Sequence, residues 1–185
     1  MNPRAQFRSI TAVTLGLCAW AAVLMPTPAD AALDAYAVII GETQGEFKTD
    51  SAIPPHEGKI VIKAFGSSVS ADYDPATGLP GTDQQHRPIR LLKDVDKASP
   101  LLLTAFKNSE KLLSVTLQFF RPTQAGGEEN HVTIVLENAY IVGILPGHSS
   151  QAEDVNTPFR ETISLTYESM TVIWESGGIT GQINW

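Results

Sequence analysis

The chain has 185 residues, with 13 basic side chains against 20 acidic ones for a formal net charge of −7, 43% hydrophobic residues and a single cysteine. That length corresponds to about one domain. The acidic balance excludes a surface built to grip nucleic acid, and one cysteine excludes intrachain disulfides as a source of stability.

Arg4 and Arg8 precede an apolar stretch over residues 10–25 that contains Val13, Leu15, Leu17, Trp20, Val23 and Leu24. Pro26 and Pro28 break it ahead of Ala29-Asp30-Ala31, an A-x-A pattern. A basic start, a short apolar run and small closing residues are the three parts of a secretory signal peptide, so cleavage is expected between Ala31 and Ala32. The run falls short of the roughly 20 residues that span a bilayer, which disfavours a membrane anchor. Cys18 follows Leu17, where a lipid-attachment site has a small residue. Cleavage of 31 residues leaves 154, with 11 basic and 19 acidic side chains and no cysteine. A chain of this size buries roughly two-thirds of its unfolded surface, enough for a core without metal or disulfide.

Residues 36–40 form a short β-branched run ended by Gly41, and Gly45 marks a further turn. Residues 59–69 alternate, Ile60 and Ile62 against Lys59, Val61 and Lys63, which is the period of a half-buried strand. Residues 72–86 hold Pro75, Gly78, Pro80 and Gly81 among polar neighbours and are expected to form a long loop. A loop of that length in a small domain usually has a job; here it is expected to dock on a neighbouring subunit. A strand resumes over 89–92. Ser99-Pro100 predicts a helix start, with the serine as N-cap and proline in the first turn, and Asn108 closes the helix after about two turns.

Leu113, Val115, Leu117 and Phe119 alternate with polar residues in a clear strand, and 122–130 is the turn into another at 132–136. Residues 139–145 are expected to extend that strand past a bulge. Residues 146–158 form a second polar loop, 163–168 alternate again, and 172–174 end the core. Tyr36, Phe65, Phe106, Phe119, Tyr140, Tyr167 and Trp174 are the expected aromatic core, with Phe120 and Phe159 on the surface. The predicted fold class is mainly β: a two-sheet, barrel-like sandwich with one short α-helix outside it.

Catalytic signatures are missing from the sequence. It has no G-x-S-x-G turn for a serine nucleophile and neither a P-loop nor a dinucleotide fingerprint. His56, His86, His131 and His148 lack metal-ligand spacing and read as surface residues, with His86 placed to hydrogen-bond a neighbour from the end of the long loop. Asp72/Asp74 and Asp94/Asp96 do not continue into a calcium loop; they read as turn-stabilising residues. Gly66-Ser67-Ser68 reads as a bulge, and Glu128-Glu129 as a solvated hairpin tip. No enzyme activity, metal or cofactor is expected.

Five segments together resemble the haemolysin-coregulated protein (Hcp) family, the tube subunit of type VI secretion systems. They are Gly41-Glu42-Thr43-Gln44-Gly45; Asp74-Pro75-Ala76-Thr77-Gly78 with Pro80 and Gly81; His86-Arg87-Pro88; Lys97-Ala98-Ser99-Pro100-Leu101; and the aromatic-ended strand over 115–121. The similarity covers about residues 36–174. It implies homohexameric rings that stack into a tube, with a VgrG-type spike, a contractile sheath and effector proteins as partners. It also implies that the loop equivalent to 72–87 reaches toward adjacent subunits. The residues expected at the subunit interface are therefore Asp74, Pro75, Gly78, Pro80, Gly81, His86, Arg87 and Pro88.

The leader departs from the family, whose members generally have none. Either translation begins at Met25, giving a cytoplasmic subunit before secretion, or the protein is exported to the periplasm or beyond. Two other classes compete: an exported Hcp-like binding or effector module, and a small outer-membrane barrel, suggested by Ile179, Gly181, Ile183 and Trp185 alternating to a terminal aromatic.

Overall fold

The computed structural model describes residues 35–147 and 158–185. The predicted leader, with Ala31 and Ala32, lies outside them, as do His148 and most of the second predicted loop.

β1 (Ala35–Gly41) is apolar on both faces and is flanked on both edges. Along one edge it pairs antiparallel with β6 (Lys111–Pro122). On the other edge lie β3 (Ile60–Ile62) at its start and the short return strand β2 (Gly45–Glu46) at its end. β7 (Glu128–Gly147) pairs with β6 on one side. On its other side β8 (Arg160–Thr166) and β9 (Ser169–Trp174) follow one another in the same antiparallel sense. The change of partner falls at Asn138, which has a φ of 48° within β7, opposite Tyr167-Glu168 between β8 and β9. β7 thus joins the two parts of one continuous ten-stranded sheet, β10-β9-β7-β6-β1 and β7-β8-β5-β4, where β10 spans Ile179–Asn184.

The run from Ile60 to Tyr73 also changes partner. β3 lies on β1, Lys63 N–H donates to the Leu92 carbonyl at 2.7 Å, and β4 (Ala64–Tyr73) continues on β5 (Pro80–Asp94). The result is the barrel-like arrangement that the strand pattern predicts. β10 pairs with β9 alone among the described residues, so an edge remains open.

The core is aliphatic. Ile39, Ile60, Ile89, Leu91, Leu112, Leu117, Leu136, Ile163 and Leu165 are fully buried between the two parts of the sheet. The expected aromatic core is only partly realised. Tyr36 and Tyr167 are buried, Phe65 and Phe119 meet edge to face at 5.5 Å, and Phe106, Tyr140 and Trp174 are exposed. Phe47, which the alternation does not single out, is buried instead. Branched aliphatics interlock across the close layers, with the rings of Tyr36, Phe47 and Tyr167 buried among them.

α1 (Ser99–Lys107) is the helix expected, and it ends at Asn108, whose N–H reaches the Thr104 carbonyl at 3.1 Å. Its start differs by one residue: Ala98 is the N-cap and makes no side-chain cap. The Ser99 hydroxyl is occupied elsewhere, bonded to Glu161 at 2.6 Å and to buried Lys93 at 3.1 Å. Asp96 supplies the turn instead, its carboxylate accepting the Ala98 N–H at 2.9 Å. Leu102 and Ala105 pin the helix against the barrel.

Candidate assembly surface

Residues 72–86 are not the loop expected from their prolines and glycines. β4 and β5 form a long antiparallel hairpin, and only 74–79 make the turn. The breakers sit where a hairpin tolerates them. Gly78, with φ of +71°, closes the turn. Pro80 is the first residue of its strand, where a missing donor costs least. Gly81 brings its Cα close to Asp72, since an added Cβ would lie 3.1 Å from the Asp72 carbonyl oxygen. Pro88 falls at a bulge where the pairing slips between Gly66 and Ser68, the irregularity expected of Gly66-Ser67-Ser68.

Asp74 organises the tip. Its carboxylate accepts the Ala76 N–H at 2.8 Å and the Thr77 hydroxyl at 2.9 Å, and its carbonyl accepts the Gly78 N–H at 2.7 Å. The Ala76 N–H, then the Thr77 hydroxyl, hold the Asp74 carboxyl below its ordinary pKa. This is the turn-stabilising role expected of it.

From Gly66 to Pro88 only Val69 and His86, which face each other across the ladder, are half-buried; the rest are exposed. Tyr73 and Leu79 stand 69% and 66% exposed at the tip. An isolated two-stranded hairpin is marginal in water, and among the described residues no layer packs over most of either face of this one. Among those residues it is an arm without a seat.

At the base of the arm His86 packs against its own chain. Its Nδ1 lies 3.0 Å from the Tyr167 hydroxyl, and its ring is 5.4 Å from that of Trp185. Burial raises the Tyr167 pKa. Arg87 and Pro88 border an open pocket. The expected interface residues thus fall in three places along one hairpin: Asp74, Pro75 and Gly78 in the turn, Pro80 and Gly81 just after it, and His86, Arg87 and Pro88 at the base.

Two supports hold the barrel from which the arm projects. The Glu110 carboxylate receives the N–H groups of Thr43 and Gln44, both at 2.8 Å, and the Gln44 side-chain amide at 2.8 Å. Burial pushes its pKa up, but the Gln44 and Thr43 donors outweigh it and the net shift is downward. Gly41 makes room, since a Cβ there would lie 2.5 Å from Glu110 Oε1. In the second support, fully buried Lys93 donates to Asp96 at 2.8 Å, Glu161 at 3.0 Å and the Asp94 carbonyl at 2.7 Å. Neither group stands out in the sequence as a partner of a distant segment.

Other sequence expectations need correction. His56 is 2% exposed rather than a surface residue; it stacks on Tyr36 at 3.9 Å and bonds Glu128 at 2.7 Å. Phe120 packs on His56 at 4.4 Å and is half-buried, not a surface contact. His131 is half-buried, edge to face with Trp174 at 5.9 Å. Glu128 and Glu129 open β7 directly after the hairpin turn and are exposed as expected, though each is paired, the latter with Arg121 at 2.7 Å. Phe159, 49% exposed, is where it was expected.

The fold and the exposed hairpin define a barrel-like β domain with one external helix and a projecting arm. Comparison with known proteins gives the family. The profile described as "Type VI secretion system effector, Hcp" matches residues 38–174. The major exported protein of Pseudomonas aeruginosa is 34% identical over 149 residues, covering 77% of this chain and 87% of that protein. The structure of the secreted protein Hcp3 from Pseudomonas aeruginosa superposes with a TM-score of 0.69 at 29% identity, over 83% of this chain and 99% of the other. Hcp1 from E. coli, at 23% identity, shares the fold with a TM-score of 0.74 and coverages of 83% and 99%. The chain belongs to the Hcp family and is a type VI secretion tube subunit. The outer-membrane barrel and the separate binding module are not favoured.

Proposed function

We propose that copies of this chain close into homohexameric rings through the β4–β5 arm, and that the rings stack into the tube. The observation that carries this reading is the exposure of both faces of the arm from Gly66 to Pro88. A hairpin of this length keeps its shape when a neighbouring subunit covers it, and a closed ring removes the edges that would otherwise recruit strands at random. Asp74, Pro75 and Gly78 shape the tip, Pro80 and Gly81 let the strands close behind it, and His86, Arg87 and Pro88 fix its root. The molecule acts by presenting surfaces, with no chemistry of its own. A VgrG-type spike, a contractile sheath and effector proteins are the further partners, in keeping with the family. The leader directs export, with cleavage between Ala31 and Ala32; a first residue at Met25 or Pro26 in the native protein would mean a cytoplasmic subunit instead.

The test is to delete residues 79–84, which removes the start of β5 and leaves the barrel intact. The expected product is a folded monomer by circular dichroism and sedimentation. Rings of normal number and size in electron micrographs would refute the role of the arm.

A further inference from the structure

The root of the arm holds a feature that the tip does not need. Gly66 pairs with Arg90 and Ser68 with Arg87, so Ser67 alone faces Pro88 and Ile89. In a regular strand, side chains three residues apart point to opposite faces. The bulge cancels that alternation, and Arg87 and Arg90 line one open cavity of about 580 Å³ with Gly66, Ser67, Ser68 and Pro88. Nothing lies within 4 Å of the position a Gly66 side chain would take, so the floor of the cavity is unobstructed.

The charge pattern is unusual for this molecule. Of the four described arginines, Arg121 pairs with Glu129 and Arg160 with Asp94. Arg87 and Arg90 are exposed, and no carboxylate among the described residues pairs with either. Yet acidic side chains outnumber basic ones by 20 to 13. Two arginines on one cavity concentrate positive charge there, and a carboxylate entering it would relieve that while accepting planar, paired hydrogen bonds.

We infer that this pocket receives an acidic side chain from a second copy of the chain. The inference rests on the ring reading, because the same hairpin supplies both the arm and the pocket. The two guanidiniums hold the carboxylate, and the hydroxyls of Ser67 and Ser68 are available to complete its shell. The chain has carboxylates to offer: Asp50 and Glu57 are exposed, and neither is paired among the described residues. A charged contact of this kind sets register and the rate of encounter.

The test compares wild type with Arg87→Glu/Arg90→Glu, Arg87→Gln/Arg90→Gln and Arg87→Lys/Arg90→Lys by sedimentation velocity at low and high salt. Thermal unfolding below the concentration of assembly should be unchanged in all three, since both side chains are exposed. The concentration needed for half-assembly should rise about tenfold or more on charge reversal, less in the glutamine pair and least in the lysine pair. High salt should weaken wild-type assembly and barely affect the glutamine pair. Reversal variants that assemble like wild type would overturn the pocket and leave the ring reading intact. A wild-type chain that stays monomeric would overturn both.

Discussion

Replacing Lys93 by methionine keeps the aliphatic stem and removes the charge that joins β5, β8 and the helix start. Lys93 is fully buried and donates to Asp96 at 2.8 Å, Glu161 at 3.0 Å and the Asp94 carbonyl at 2.7 Å, with the Ser99 hydroxyl 3.1 Å from its Nζ. Without it Glu161, 5% exposed, keeps only the Ser99 hydroxyl at 2.6 Å as a side-chain hydrogen-bond donor among the described residues. A carboxylate stranded in that way costs about 3–5 kcal/mol. For a domain of this size that is a fall in Tm of about 6–20 °C. Glu161→Gln leaves Lys93 its bond to Asp96 and should cost about 1–3 kcal/mol. The double variant Lys93→Met/Glu161→Gln should lose less than the two single losses added together, because no unpaired charge remains at Glu161. Urea unfolding below the concentration of assembly measures all three. A Lys93→Met protein within about 0.5 kcal/mol of wild type would refute the reasoning, since that is the range of an ordinary surface change.

Three further predictions follow from the supports and the kink. Gly41→Ala should destabilise by about 1–3 kcal/mol, because its methyl would meet Glu110 Oε1 at 2.5 Å and the Phe47 ring at 3.1 Å; unchanged thermal unfolding would contradict a fixed Glu110. The Glu110 carboxyl is held below its ordinary value of 4.5 in the folded chain, so its stabilisation is complete above that pH and is lost as the pH falls through the lowered folded value. In Glu110→Gln the urea midpoint should therefore fall less steeply on acidification below 4.5 than in wild type, and equal slopes would contradict the assignment. At Asn138, with φ of 48°, a change to valine should cost about 1–2 kcal/mol while glycine is better tolerated; equal melting of the two would exclude backbone strain as the reason for asparagine.

Much of the barrel is legible because its strands alternate: β3, β6 and β8 have one face in the core, and the sequence shows it as period two. The arm is misread for a physical reason. Both of its faces are exposed in the single chain, so it has no hydrophobic period, and its prolines and glycines look like loop residues until their places at the turn, the strand start and the bulge are known. The residues expected at the interface nevertheless lie on that one hairpin, because their order along the chain is also their order along the arm. The Glu110 and Lys93 networks join segments more than 60 residues apart. Local sequence carries no trace of such pairings, nor of His56, whose burial depends on Tyr36 and Phe120 meeting across β1 and β6. Phe47 is hidden for the same reason, since it follows a two-residue strand too short to show a pattern.

Self-assembly through the arm is tested most directly by the mass of the purified mature protein in solution across a range of concentrations. The account predicts a species of six subunits that dissociates when residues 79–84 are removed. A protein that remains one subunit at every concentration, or whose arm-shortened form assembles as well as the intact one, would contradict it.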